Sequence, residues 1–208
     1  MMEQYKNSVE LIGHYGSDET IALSAWCSTK RELTEERKLR IPEFLADLAK
    51  NSHGTPFEKS TLHFLVTCDI ASHIHILKHR IAVSVNSESA RYKELKEDKL
   101  YVPIDWDDEE RMAYLEHCLT AQQRYHQAIK RLAPKLGRKR AKESARFYLP
   151  YGSQLTMDVS FNLRSFLHFQ GLRNSEHAQL EICDISQRML EQVRATGDFT
   201  HSLAGFGY

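Results

Sequence analysis

The sequence lacks several features that would assign it to a specialised class of protein. No apolar run among its 208 residues approaches the ~20 residues that a membrane-spanning helix requires. The opening stretch MMEQYKNSVELIGHYG has no basic region followed by an apolar segment, so no secretory signal is expected. We therefore expect no association with a membrane.

Cysteine is scarce and dispersed. The four cysteines form no C-x-x-C pair, which argues against a zinc ribbon and against a disulfide framework. Such usage is typical of a reducing compartment, so the sequence predicts a cytoplasmic protein. Cys27 and Cys68 have apolar neighbours and no adjacent cation that would stabilise a thiolate, which disfavours a cysteine nucleophile.

The spacing of His73, His75 and His79 invites a metal site, but we expect none. On a helix His75 and His79 share a face while His73 points elsewhere, and no nearby carboxylate or cysteine completes a ligand set. The G-x-S-x-G, H-E-x-x-H, P-loop and G-x-G-x-x-G motifs are also missing.

Net charge is absent, because 28 Lys and Arg balance 28 Asp and Glu. A neutral chain has no global electrostatic attraction to nucleic acid. The basic run KRLAPKLGRKRAK at 130–142 lacks interleaved aromatic residues, and an acidic stretch at 105–110 balances it. We interpret this run as a solvated helix junction, or as a surface facing an acidic neighbouring subunit, and expect no nucleic-acid partner.

The composition that remains is that of an ordinary globular protein, with 41% hydrophobic and 27% charged residues. At this length we expect a single domain over residues 1–208. Periodicity and capping signals predict a mixed α+β fold dominated by helices. The predicted helices are 18–30, a segment starting at Pro42, one capped by Asp69, 109–132 ended by Pro134, 139–148, 163–170 and 176–194; the predicted strands are 60–67 and 156–161, with a loop at 81–86.

The densest polar cluster lies at 78–92. Lys78, His79 and Arg80 are followed by a string of short hydrogen-bonding side chains with one intervening acid, Glu88. Cationic groups next to serine and asparagine suit the recognition of a phosphate and a planar heterocycle. The alternative is a polar helix end followed by a solvated loop.

A second cluster occupies the C-terminal third. Arg164 and His168 are four residues apart and share a predicted helix face, while Arg173 is predicted in the turn that follows. Arginines on largely apolar segments need an anionic partner or ligand. The alternative is a set of structural ion pairs. The cluster consists of Arg146, Asn162, Arg164, His168, Arg173 and His177.

These segments resemble the motifs of one family, the flavin-dependent thymidylate synthases. The stretch KHRIAVSVNSESARY at 78–92 resembles the family signature, which is R-H-R, seven residues, then a serine followed shortly by R-Y. HGTPFE at 53–58 and AWCS at 25–28 resemble two further family segments. ARFYLP at 145–150, NLRS at 162–165, Leu172-Arg173 and HAQLE at 177–181 resemble the remaining motifs, in family order.

The resemblance implies an enzyme that converts dUMP to dTMP. In this family methylenetetrahydrofolate is the carbon donor, FAD carries the hydride and NADPH is the reductant. The implied α/β fold has a central sheet flanked by helices, and the implied assembly is a homotetramer with active sites between subunits.

The resemblance also assigns roles to individual residues. Arg173 matches the arginine that polarises the pyrimidine carbonyl, which makes it the implied catalytic residue. The implied FAD-binding residues are Ser28, Thr55, Glu58, Lys78, His79, Arg80, Asn86, Ser87, Asn162, Arg164 and His168. The implied dUMP-binding residues are His75, Lys78, Ser87, Glu88, Ser89, Ala90, Arg91, Arg146 and Arg173.

The chain departs from the family pattern at several positions. Lys78 replaces the first arginine of the triplet, so a bidentate contact becomes a point charge, and eight residues separate Arg80 from Ser89. His75, Ser87 and His168 replace a usual glutamine, a frequent glutamate and a common asparagine. We interpret the chain as a divergent member, such as a viral one. The alternatives are another flavin-dependent modification of a pyrimidine nucleotide, for example hydroxymethylation, and a non-enzymatic nucleotide- or RNA-binding protein.

Overall fold

The computed structural model describes residues 6–208. Over this range it contains four β-strands, eight α-helices and two short 3-10 helices. In chain order the elements are β1 (Ser8–Tyr15), α1 (Asp18–Trp26), α2 (Glu35–Lys50), a 3-10 helix (Thr55–Lys59), β2 (Thr61–Asp69), α3 (Ile70–Leu77), β3 (Val83–Ser87), α4 (Asp108–Leu136), α5 (Arg138–Ala145), a second 3-10 helix (Arg146–Tyr148), β4 (Gln154–Asn162), α6 (Leu163–Arg173), α7 (Leu180–Thr196) and α8 (Thr200–Gly205).

The strands form a four-stranded sheet in the order β1-β2-β4-β3. Alternate side chains of β2 are buried, from Leu62 through Phe64 and Val66 to Cys68, as expected for a strand with one face on a core. The predicted mixed α/β fold is confirmed.

The chain divides into two compact units. Within the described residues, the first comprises 6–8, Val66–Lys78 and Asn86–Met157; the second comprises Val9–Leu65, His79–Val85 and Asp158–Tyr208.

The first unit is built around the long helix α4, which packs against α5. Tyr125 and Ile129 of α4 are buried together with Ala145 at the end of α5. Cys118, two helical turns before Tyr125 on α4, is buried against Leu100 and Val102.

The second unit has an aromatic core. Phe64 stacks on Phe166 of α6 with ring centroids 5.8 Å apart, and Phe161 contacts Phe169 at 5.4 Å. All four rings are at most 1% exposed. Helix α6 also packs against α7, so its buried side chains are held both by the aromatic core and by α7.

Side-chain caps determine where several helices begin. The predicted cap at Asp69 is confirmed, because its Oδ1 accepts a 2.8 Å hydrogen bond from the backbone N–H of Ser72. Thr34 caps α2 in the same way, and Asn162 caps α6 with a 2.9 Å bond from the N–H of Ser165.

Both predictions that placed proline at a helix boundary are wrong. Helix α2 begins about two turns before Pro42, after the Thr34 cap, and Ile41 and Leu45 are buried on either side of the proline. Helix α4 continues through Pro134 and ends at Gly137, whose φ of +78° is accessible to glycine. Tertiary packing and capping outweigh the cost of one missing N–H in each case.

The predicted loop at 81–86 is also wrong, because Val83–Ser87 forms β3. Its pairing is non-local: the N–H of Asn162 donates to Ala82 at 3.2 Å and the N–H of Glu88 donates to Thr156 at 2.8 Å. A five-residue strand that pairs with a segment far away in the sequence has little local periodicity from which it could be predicted.

Other boundaries shift from the predicted ones. Helix α6 extends to Arg173, so this residue ends a helix and does not lie in a turn. Helix α1 ends at Trp26, and α7 begins at Leu180. Strand β1 and helix α8 were not predicted. Within residues 6–208, no helix combines the length and the apolar character needed to cross a membrane.

Candidate active site

In the second unit, α6 presents three of the predicted residues. Arg164 and His168 are exposed one turn apart near its start, and Arg173 is its last residue, where a cation is favoured by the helix dipole. Arg164 Nη1 donates a 2.6 Å hydrogen bond to Oε1 of Glu58, which lies on the first 3-10 helix with Thr55. Two predicted segments, HGTPFE and NLRS, are therefore in direct contact.

Gly54 makes that contact possible. A β-carbon built on Gly54 would lie 2.5 Å from Nε, 2.8 Å from Cζ and 2.9 Å from Cδ of Arg164. These distances are below any ordinary contact, so the arginine lies against bare backbone. A side chain at position 54 would displace it.

His79 and Arg173 are joined directly. Nε of Arg173 donates a 3.1 Å hydrogen bond to Nε2 of His79, although 94 residues separate them in the chain. The ring of His79 packs edge-on against Phe169 at 5.0 Å and against His168 at 6.2 Å. His79 of the predicted triplet and the predicted catalytic arginine therefore meet in the second unit.

The remaining predicted residues of the second unit are Ser28 and Arg80. Ser28 lies in the turn after α1 and donates a 3.0 Å hydrogen bond to the carbonyl oxygen of Ala25. Arg80 is exposed, and no carboxylate in the described part of the chain forms an ion pair with it. Its charge is available to an anionic ligand.

In the first unit, the predicted residues 86–91 cover the end of β3 and the turn after it. Glu88 anchors this turn. Its Oε2 accepts a 2.9 Å bond from the N–H of Thr156, and Lys93 Nζ lies 2.5 Å from its Oε1. Partial burial raises the pKa of Glu88, but the bonds from Lys93 and Thr156 outweigh burial and hold the pKa below its usual range.

Arg91 points toward α5. Its Nε donates a 2.8 Å bond to Oε1 of Glu143, and its backbone N–H donates to the Ser89 hydroxyl at 3.3 Å. The guanidinium also lies 5.5 Å from the centroid of the Tyr92 ring. Glu143 thus holds the guanidinium of Arg91 through its Nε.

His75, Lys78 and Arg146 are the other predicted residues of the first unit. Nδ1 of His75, on α3, is buried and has no hydrogen-bond partner within residues 6–208. Lys78 is the exposed residue that ends α3, and Arg146 begins the second 3-10 helix. An unpaired buried nitrogen is costly, which marks His75 as a candidate ligand contact.

Residues 94–98 follow this turn and are held by the ring of His126, in a pair of contacts that we call the histidine clasp. Nδ1 of His126 lies 2.9 Å from Oε1 of Glu94, and its Nε2 lies 2.9 Å from Oδ1 of Asp98. Burial lowers the pKa of His126, but the two carboxylates outweigh burial and raise it above the usual value. A small open pocket adjoins this segment, with Glu88 and Lys93 among its lining residues.

No three His, Cys, Asp or Glu side chains are arranged to hold a metal ion in the described residues. His73 is buried, and burial lowers its pKa.

Comparison with known proteins decides the family. The family model described as thymidylate synthase complementing protein matches residues 10–196. The chain belongs to this family. It is 31% identical over 203 residues to a protein of Pseudothermotoga lettingae named flavin-dependent thymidylate synthase, covering 93% of this chain and 87% of that one. A Streptomyces avermitilis protein of the same name is 29% identical over 204 residues, covering 89% and 82%.

A solved structure shares the fold. The UMP/dUMP methylase PolB from Streptomyces cacaoi, bound with 5-Br dUMP, superposes with a TM-score of 0.79 at 24% sequence identity. The match covers 97% of this chain and 94% of that one. The resemblance to the thymidylate synthase family and its mixed α/β fold is thereby confirmed.

Several residues of this family member were not identified as structural partners from sequence. Gly54 lies inside the HGTPFE motif, but nothing in that motif indicates that the absence of a side chain at position 54 leaves room for Arg164. Glu143 and Thr156 were not singled out. They contact Arg91 and Glu88 from 52 and 68 residues away. The one available signal for Glu143 is that it is an acid directly after the basic run at 138–142.

Proposed function

We propose that this chain is a flavin-dependent thymidylate synthase, an enzyme that methylates dUMP to dTMP. One observation carries the proposal: the family model matches residues 10–196, and relatives covering most of the chain carry that name. Their activity fits a site built from arginines and imidazoles, with no thiol nucleophile. Burial raises the pKa of the Cys68 and Cys118 thiols, which disfavours their thiolates.

The exposed donors of the structure fit an FAD. A flavin dinucleotide carries an anionic diphosphate and a planar ring with a hydrogen-bonding edge, and guanidinium and imidazole groups suit both. Arg164 lies against the bare backbone of Gly54, and Arg80 has no acidic partner in residues 6–208. The residues that would hold FAD are Ser28, Thr55, Glu58, Lys78, His79, Arg80, Asn86, Ser87, Asn162, Arg164 and His168. When bound, the flavin supplies the hydride.

The nucleotide would be held by a second set of residues. Arg91 offers a guanidinium already held on one edge by Glu143, and Arg146 offers a second one, so the two suit a 5′-phosphate. His75 has an unpaired buried nitrogen that a ligand group would satisfy. The remaining contacts are assigned to Lys78, Ser87, Glu88, Ser89 and Ala90, of which Glu88 acts by anchoring the turn.

Arg173 is the proposed catalytic residue. A pyrimidine attacks a one-carbon unit from C5 only when its ring is electron-rich, and a guanidinium beside the ring carbonyl stabilises the negative charge that develops there. The residue lies at the end of α6, with its Nε fixed on His79. This role requires no covalent bond to the protein.

We assign the co-substrates and setting from the same family. Methylenetetrahydrofolate is the carbon donor, NADPH is the reductant, and the chain functions as a single domain in a cytoplasmic homotetramer whose active sites lie between subunits. No nucleic-acid or membrane partner is proposed.

The visible absorption spectrum of the purified protein tests this function. A flavin spectrum that changes on titration with dUMP, together with NADPH oxidation that requires dUMP, is the expected result. A colourless protein that takes up no FAD would exclude the proposal. Titration with 2′-deoxyuridine is the matched control, because it lacks only the 5′-phosphate and so offers no anion to Arg91 and Arg146.

A second candidate function is a different flavin-dependent modification of the same base. Lys78 in place of the first arginine and the extra residue before Ser89 favour it, because both alter the segment between α3 and Arg91 that carries the family signature. Identification of the nucleotide product separates methylation from hydroxymethylation.

A further inference from the structure

The bond between Arg173 and His79 defines the protonation state of the histidine. The guanidinium nitrogens carry only donors, so Nε2 of His79 must accept the 3.1 Å bond from Nε of Arg173. A neutral imidazole with its proton on Nδ1 is the form that does so. A histidine protonated on Nε2 would oppose the guanidinium with a second donor.

The same bond leaves a defined part of Arg173 for a ligand. Arginine has two edges that offer paired N–H groups, and one of them includes Nε. Because His79 takes Nε, the edge formed by Nη1 and Nη2 is the one that remains as a fork. Two parallel donors match a carbonyl oxygen next to a deprotonated ring nitrogen, which is the arrangement along the edge of an ionised uracil.

The position of His79 is itself fixed by packing. Its ring lies edge-on to Phe169, with centroids 5.0 Å apart and planes at 74°. Phe169 is fully buried and contacts Phe161, so the imidazole is attached to the core of the second unit. A fixed acceptor orients a flexible arginine that would otherwise sample many rotamers.

We propose that His79 is a positioning residue, which accepts from Nε of Arg173 and thereby aims the Nη1–Nη2 fork at the pyrimidine ring. This inference rests on the proposed function for the identity of the ligand. According to this inference, His79 contributes to catalysis through its bond with Arg173. This positioning role is separate from the flavin contact for which His79 is also proposed.

Two substitutions at position 79 separate the acceptor from the ring. His79→Phe keeps an aromatic ring against Phe169 and removes the acceptor, whereas His79→Gln removes the ring and keeps an acceptor. We expect His79→Phe to lower kcat by about 10²-fold, the loss typical of a misplaced catalytic group. The KM for dUMP should change little, and His79→Gln should recover part of kcat. Because His79 is also among the residues assigned to FAD, flavin content is measured for each variant and kcat is expressed per bound flavin.

Arg173→Ala supplies the background that tests the coupling. If His79 acts through Arg173, then His79→Phe causes no further loss of kcat in the Arg173→Ala variant. Wild-type kcat in His79→Phe would overturn the proposal. So would an equal loss in both backgrounds, or a loss that disappears when kcat is expressed per bound flavin.

A spectroscopic measurement keeps this inference separate from the proposed function. Imidazole ¹⁵N shifts of the purified protein report the tautomer without any turnover, and we expect the proton of His79 on Nδ1. The Arg173 Nε–H resonance should shift in His79→Phe. A proton on Nε2 of His79 would overturn the positioning role. Failure of wild-type turnover with the expected tautomer would instead overturn the proposed function and leave the positioning bond supported.

Discussion

A methyl group at position 54 provides a stringent test of the flavin-binding residues. Gly54→Ala places a carbon 2.5 Å from Nε of Arg164, about 0.9 Å inside the 3.4 Å at which ordinary contacts begin. The backbone of Gly54 has φ −72°, which alanine adopts freely, so only the arginine must move. A displacement of that size weakens its 2.6 Å bond to Glu58 and moves its guanidinium from the position that the ligand requires.

The expected costs to folding and to binding differ. Arg164 and Glu58 are partly exposed, with side-chain exposures of 54% and 34%, and such ion pairs contribute about 0–1 kcal/mol to stability. The midpoint of thermal unfolding should therefore fall by no more than about 2–4 °C. A charged hydrogen bond to a ligand contributes about 1.5–3 kcal/mol, so the Kd for FAD should rise about 10- to 100-fold.

Fluorescence titration of the apoprotein with FAD measures this effect. Gly13→Ala is the matched control, since a β-carbon there has no atom within 4 Å and its affinity should equal that of the wild type. An unchanged Kd for FAD in Gly54→Ala would refute the placement of Arg164 in the cofactor site. A fall of much more than 4 °C in the unfolding midpoint would refute the argument that the contact is local.

Three further predictions concern other parts of the molecule. Asp18→Ala should lower the free energy of unfolding, measured by urea titration, by about 3 kcal/mol. The Asp18 carboxylate accepts hydrogen bonds from two successive backbone N–H groups of α8 and from the Ser202 hydroxyl. A loss below about 1 kcal/mol would contradict this. Because the pKa of His126 is raised in the folded state, its contacts with Glu94 and Asp98 are complete below about pH 6.5 and are lost as the pH rises through the folded-state pKa. Backbone hydrogen exchange in residues 94–98 should therefore accelerate over this pH range by more than the intrinsic pH dependence of exchange. His126→Gln should show only the intrinsic dependence, and an equal profile in both proteins would exclude the clasp. Arg91→Ala should raise the KM for dUMP about 10- to 100-fold at little cost in stability, because the Arg91 side chain is 49% exposed and an ion pair with such an exposed partner contributes about 0–1 kcal/mol. A KM within twofold of wild type would remove it from the phosphate site.

The sequence was informative wherever a signal is local. The strand at 60–67 and the cap at Asp69 were predicted because β-branched residues and an N-cap act within one element. The helix boundary predicted from Pro134 failed because packing of α4 overrides a local penalty. Strand β3 was missed because its partner, β4, lies about 70 residues further along the chain.

The candidate site was predictable in composition but not in its contacts. The two polar clusters contained His79 and Arg173, yet nothing in their spacing indicated that Nε of one bonds Nε2 of the other. The pairing of Arg91 with Glu143 is of the same kind, since charge alone does not choose among several acids. Only the folded chain determines which partner each cation has.

The most direct test of the central claim is the mass spectrum of the nucleotide recovered from a complete reaction. The purified flavin-loaded protein is incubated with dUMP, methylenetetrahydrofolate and NADPH, with a parallel reaction lacking the folate. Our account predicts dTMP, heavier than dUMP by one CH₂ unit, in the complete reaction alone. Recovery of unchanged dUMP from a protein that binds flavin and dUMP would contradict it.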